Sequence, residues 1–215
     1  HAPGFCEGSA WQFTWYVPHD VKSLINLIGE RQFIDRLNAG FATSEKVSFN
    51  ALGDNMGAYP INHGNETNMQ AAYLFSYTSE PWHTQKWARA IQEKYYGMGP
   101  RDAYPGDEDQ GQMSSWYILS SIGLFQMDGG CSKDPVWLLG SPRFDRVEIL
   151  LDNTYYSGKK LIIKAENVSK DNCYIQYVRF NNKRLSNNYI EWSKLKKGGT
   201  LHFIMGDRPN PNAFK

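Results

Sequence analysis

The chain has 215 residues, enough to bury a sizeable core, and its 41% hydrophobic and 21% charged residues are those of an ordinary globular protein. Its 23 basic and 22 acidic residues leave a net charge of +1, so no basic footprint points to nucleic acid or an anionic membrane surface. No apolar run is long enough to span a bilayer.

Asp20 is placed to cap a helix through Leu27-Ile28 that Gly29 ends. Phe33, Ile34 and Leu37 form the stripe of a second helix, expected to stop at Asn38-Ala39-Gly40. Ala71, Ala72, Leu74 and Phe75 mark a third. Pro81 suits the first turn of a fourth, which carries Trp87, Ala90 and Ile91 and ends near Gly97. Ser114 to Ile122 reads as a fifth. Between these helices lie two long polar loops, residues 43–66 and 97–112, of a length that favours function.

Beyond about residue 130 the period changes. Val147–Leu151, Leu161–Ala165, Tyr174–Val178 and Leu201–Met205 are short β-rich runs separated by turn residues, expected to form an antiparallel sheet or half of a sandwich. The expected organisation is a helical domain over 1–128 and a β-rich domain over 129–215, an α+β fold. Cys6, Cys131 and Cys173 show no metal-binding spacing, leave room for one bridge at most, and are expected to be buried as small hydrophobes. The abrupt opening at His1-Ala2-Pro3-Gly4-Phe5, so near a chemistry-rich motif, suggests an excised segment.

Three polar clusters sit at loop–helix junctions. In Glu7-Gly8-Ser9-Ala10-Trp11-Gln12, a carboxyl lies among small and aromatic residues, where an apolar setting would suit a general acid; a Glu in a first helical turn is the plainer reading. In His63-Gly64-Asn65-Glu66-Thr67, consecutive oxygen donors suit a hard cation such as calcium; a helix cap by Asn65 or a glycosylation sequon explains the same letters. Pro105-Gly106-Asp107-Glu108-Asp109-Gln110 sets adjacent acids before a helix, as a base or cation ligand, or as a solvated acidic turn. Aromatic residues, 14% of the chain, offer faces on which sugars stack, although most rings of this size fill cores. Two carboxyls brought across one pocket are the minimum apparatus of glycoside hydrolysis.

With Glu80-Pro-Trp-His-Thr-Gln85, Gly111-Gln-Met-Ser-Ser-Trp-Tyr117 and Gly140-Ser-Pro-Arg-Phe144 in register, these clusters resemble glycoside hydrolase family 92, calcium-dependent, mostly exo-acting α-mannosidases. The resemblance implies the second half of an (α/α)6 helical barrel followed by C-terminal strands. It implies inverting hydrolysis with Glu7 as acid and Asp107/Asp109 as base candidates, Asp109 favoured. It implies calcium on the Gly64 carbonyl, Asn65 and Glu66, and sugar contacts from Trp11, His63 and Glu66. The implied substrates are mannose-containing glycans, including N-glycans, with α-1,2 the expected linkage, and the implied location is secreted, periplasmic or cell-surface. Half a ring of helices would expose apolar faces, so self-association of the isolated segment, and its inactivity alone, are expected. Another barrel glycosidase, a sugar phosphorylase and a non-catalytic carbohydrate-binding fragment are the alternatives.

Overall fold

The structure is a computed structural model that describes residues 4–51, 57–104, 106 and 108–215. Its contacts divide into two units, residues 1–118 and 119–215.

The first unit carries α1 (Ala10–Phe13), α2 (Val21–Ile28), α3 (Glu30–Ser44), α4 (Glu66–Met69) and α5 (Trp82–Lys94), and α6 (Gln112–Ile122) crosses the division. Asp20 caps α2 as expected: its carboxylate accepts from the Ser23 amide at 3.1 Å. Gly29 ends α2 with φ 87°, a left-handed angle that glycine adopts at little cost. The helix that follows runs through Asn38-Ala39-Gly40 instead of stopping there. Those residues serve tertiary packing. Asn38 Oδ1 accepts from Trp87 Nε1 at 2.9 Å, and a Cβ on Gly40 would lie 3.3 Å from Pro60 Cβ. Ala71–Tyr77 forms a 3₁₀ helix where an α-helix was expected. Ala71 to Phe75 have no exposed surface, so this stretch has no polar face from which a 3.6-residue period could be read. Pro81 precedes α5, where its missing N–H is not needed.

The core of this unit joins Phe33, Ile34, Leu37 and Phe41 of α3 to Phe49, Ile61 and to Trp87 and Ile91 of α5, all buried. Phe41 stacks on Trp87 with centroids 5.3 Å apart. Burying each such side chain contributes about 1.5–3 kcal/mol, enough to fix α3 against α5 and so to set the ends from which the polar loops emerge.

In the second unit, β1 (Leu124–Phe125), β2 (Val136–Leu139) and β7 (Tyr189–Glu191) form an antiparallel sheet. A larger sheet is ordered β3 (Arg146–Leu150), β4 (Lys160–Glu166), β8 (Gly199–Gly206), β5 (Tyr174–Phe180) and β6 (Lys183–Arg184). The four expected strands are present, but the sheet is mixed: β4 and β8 run parallel, from Leu161 beside Gly199 to Glu166 beside Ile204. Parallel neighbours need a long return connection, and β5, β6, β7 and α7 (Trp192–Leu195) lie between these two in the chain. Leu161, Ile163 and Ala165 of β4 and Leu201, Phe203 and Met205 of β8 alternate into one core with Ile175 and Val178. The expectation for the cysteines fails. All three are free, and Cys6 and Cys131 are exposed.

Candidate active site

Glu7 is exposed and precedes α1, outside the helix, so neither the first-turn reading nor the apolar setting expected of it holds. Its φ is 52°, a left-handed angle that costs an ordinary L-residue roughly 1–2 kcal/mol. Asp109 and Gln110 share this feature, with φ 47° and 62°. Backbone strain of this kind gathers where a loop must aim a side chain.

A set of buried amides fixes the first two clusters to each other. Asn65 Nδ2 donates to the Glu7 carbonyl at 2.5 Å. Gln12 Nε2 donates to the Tyr59 carbonyl at 2.8 Å, and Asn68 Nδ2 returns a bond to the Gln12 carbonyl at 3.0 Å. Asn68 Oδ1 accepts from the Asn62 amide at 2.9 Å, and the Asn62 side chain pairs with both the N–H and the carbonyl of Ala51. Buried amides left unpaired would each cost roughly 1–3 kcal/mol, so the network locks the loop in one shape. Asn65 stands at the N-cap position of α4, yet its side chain makes no capping bond. It is only 6% exposed, which removes it as a glycosylation acceptor.

The third cluster meets the second across two glycines. A Cβ on Gly106 would lie 2.6 Å from Tyr95 Oη, 2.8 Å from Met113 Cε and 3.1 Å from Gly64 Cα. A Cβ on Gly64 would lie 2.8 Å from the same Tyr95 hydroxyl. Only hydrogen fits at either position while the loops stay this close. The adjacent acids then diverge. Glu108 turns back to its own helix, where its Oε1 accepts from the Ser114 amide at 3.2 Å. Asp109 is exposed, and its carboxyl acts on that of Glu66. Asp107 lies outside the described residues.

Glu66 reports the convergence. A hydrogen bond from its own backbone pulls its carboxyl pKa down. Burial, the nearby Asp109 carboxyl and the charge of Glu7 outweigh that bond and hold the pKa above the usual glutamate range. Three loops separated by helices thus bring Glu7, Glu66 and Asp109 within electrostatic reach of one another.

The remaining candidates are Trp11 and His63. Trp11, on α1, is 56% exposed, and the Arg36 guanidinium lies 5.4 Å from its ring centroid. His63, expected to touch sugar, has no exposed surface. Its ring is packed against Trp116 and Tyr95, with centroids 4.3 and 4.9 Å away, so it reaches a ligand only through its neighbours. The Tyr96 hydroxyl donates to the Met113 carbonyl at 3.2 Å and accepts from His63 Nε2 at 2.9 Å. Burial pushes the His63 pKa down to about 3, so the ring is neutral. A cavity of about 260 Å³ beside Tyr96, Tyr104, Ser114 and Tyr117 contains none of the candidate residues. Sequence reasoning missed Asn62, Asn68 and Tyr95. Nothing in their neighbours' letters marks a buried amide or a hydroxyl wedged between loops.

Residues 1–207 match the glycosyl hydrolase family 92 catalytic domain. The chain belongs to this family. A family GH92 α-mannosidase of Bacteroides thetaiotaomicron is similar at 34% identity and TM-score 0.81, over 97% of this chain and 26% of that one. A family GH92 inverting mannosidase of Bacteroides thetaiotaomicron VPI-5482 shares 32% identity with TM-score 0.82, over 98% of this chain and 29% of that one. An uncharacterized secreted glycosidase of Arthroderma benhamiae is 29% identical over 203 residues, 93% of this chain and 23% of the relative. This GH92 segment therefore spans about a quarter of the length of these relatives. Among its described residues no helix is long and apolar enough to cross a membrane.

Proposed function

We propose that the protein carrying this segment is a calcium-dependent, inverting α-mannosidase that removes terminal mannose from glycans, N-glycans among them, with α-1,2 the expected linkage. The observation that carries the reading is the meeting of the three loops that bear Glu7, Glu66 and Asp109: Asn65 bonds to the Glu7 carbonyl, and Gly106 packs against Gly64. Glu7 donates its proton to the departing glycosidic oxygen as the C1–O bond breaks. Asp109, with Asp107 beside it in sequence, takes a proton from the water whose oxygen bonds to C1 on the opposite face. Attack from the face opposite the leaving group inverts the anomeric centre, and the step leaves Glu7 deprotonated and Asp109 protonated until solvent resets both. The relatives described as mannosidases, one of them inverting, support this reading.

The residues present fit calcium, though not as a cage of acidic side chains. Among the described residues no three His, Cys, Asp or Glu side chains are arranged to hold a metal. The donors on offer are the Gly64 carbonyl, the Asn65 amide oxygen and the Glu66 carboxylate, all hard oxygens. Asn50 adds a buried Oδ1 without a hydrogen-bond partner, 3.6 Å from the place a Gly64 Cβ would take. The crowding that disfavours a charged Glu66 is what a divalent cation would relieve. Calcium bound there supplies positive charge and open coordination positions for two vicinal sugar hydroxyls. The exposed ring of Trp11, with the Arg36 guanidinium 5.4 Å from its centroid, would stack on the sugar. The helices of the first unit are, on this reading, the second half of an (α/α)6 barrel. A secreted location is supported by the fungal relative.

The test is release of mannose from an α-mannobiose by the whole enzyme, abolished by a chelator and restored by calcium. Full activity in the chelator sinks the metal assignment, and no mannose release under any condition sinks the activity itself.

A further inference from the structure

Asn65 donates its side-chain N–H to the backbone of Glu7. We propose that, beyond serving as a ligand on the reading above, Asn65 is the positioning residue that aims the Glu7 carboxyl. Glu7 is held at φ 52°, where an ordinary L-residue does not rest unaided. The bond from Asn65 Nδ2 to the Glu7 carbonyl, 2.5 Å long, fixes the peptide plane that follows Glu7 and with it the left-handed turn. The loop behind closes the other side: a Cβ on Gly57 would lie 3.2 Å from the Gly8 carbonyl, so this backbone has little room to swing away. Because Asn65 is 6% exposed, its amide has few alternative partners in water. One planar group thus has its N–H on the backbone of the acid and, on the reading above, gives its oxygen to the cation. A cation on that oxygen would hold the amide plane and so steady the acid.

The experiment separates the two ends of the amide in the whole enzyme. Asn65→Asp keeps oxygen donors for calcium and removes the N–H. Calorimetric titration with calcium should then show an affinity within about five-fold of the parent or tighter, since a carboxylate is the stronger calcium donor. The kcat on unactivated α-mannobiose should fall by about 10²-fold, the lower end of what a positioned acid contributes. The kcat on dinitrophenyl α-mannoside, whose leaving group needs no proton, should fall less than about five-fold on the same ground. KM for both should change little. Asn65→Ser, which keeps an oxygen but cannot reach Glu7, should show the same dependence on leaving group, and it stands in if Asn65→Asp does not fold by thermal melting. Equal losses on both substrates, or no loss on either, overturn the proposal. The acid assignment itself is read separately from Glu7→Gln: if that variant shows no dependence on leaving group, the failure lies with the reading of Glu7 and not with Asn65.

Discussion

The two units solve the same folding problem with different materials. Among the described residues, the β unit buries three polar side chains, Ser120, Ser121 and Ser141. The helical unit buries Gln12, Asn62, His63, Asn65, Asn68, Gln70, Gln85, Arg89 and Gln92, besides hydroxyls. Left-handed residues divide in the same way. In the β unit the non-glycine cases are Asn167, Asn181 and Asn182, the residue type that tolerates the angle best. In the helical unit they are Asp109, which shares some of that ease, and Glu7, Ser48, Phe49 and Gln110, which do not. One region minimises strain and buried polarity. The other accepts both: Glu7, Asp109 and Gln110 put the strain on loops that hold the carboxyls, and Asn62, His63 and Asn65 put part of the buried polarity beside Glu66. The difference teaches where this sequence is constrained by chemistry and where by packing alone.

The largest expected effect breaks the chemistry without touching the packing. Glu7→Gln in the whole enzyme should lower kcat on an unactivated α-mannoside by about 10²–10⁴-fold. Glu7 is exposed, so the melting midpoint should stay put. A steady-state assay paired with a thermal melt checks both; unchanged turnover would make Glu7 a structural residue. The converse change is Phe203→Ala. Phe203 has no exposed surface in the β core, so truncation should cost about 3–5 kcal/mol in a denaturant melt. Turnover per folded molecule should survive it, and a matching loss of kcat would show that the two units are not separable in function.

What was readable in the sequence follows the same line. Strands with period two, such as Leu161-Ile163-Ala165, declared themselves because one face is buried and the other is not. Asp20 and Gly29 declared the ends of α2 because capping is local chemistry. The site clusters stood out as letters, and only their joint register with one family gave them roles. The misses are tertiary. The run Asn38-Ala39-Gly40 spells a stop, but Trp87 and Pro60 recruit it into a continuing helix. The parallel pairing of β4 with β8 depends on where a distant strand returns. The inward turn of Glu108 beside the outward Asp109 depends on which amide each carboxyl meets, and adjacent letters do not distinguish them.

A smaller effect tests the buried polarity itself. The folded pKa of His63, about 3, lies below the ordinary value of 6.5, so the unfolded chain binds the proton first. Stability present above about pH 6.5 should therefore be lost as pH falls toward 3, by up to about 1.4 kcal/mol per pH unit. In urea melts with chelator present, His63→Gln should flatten that slope relative to the parent. Equal slopes would mean that the ring is not held neutral. The smallest expected effect sharpens the contrast between loops. Gly106→Ala forces a methyl against Tyr95, Met113 and Gly64, and should cost about 1–3 kcal/mol. It should also weaken calcium binding measured by calorimetry, because it pushes Gly64 away. Gly158→Ala, which meets the Lys197 backbone in the β unit, should destabilise while leaving calcium affinity alone.

The central claim is that Glu7 and Asp109 work across one mannoside from opposite faces. Proton NMR of the first turnovers of the whole enzyme on an α-mannoside reads this directly through the anomer released. The account predicts β-mannose, appearing before mutarotation. If α-mannose appears first, the two carboxyls do not act as an inverting pair and the account is contradicted.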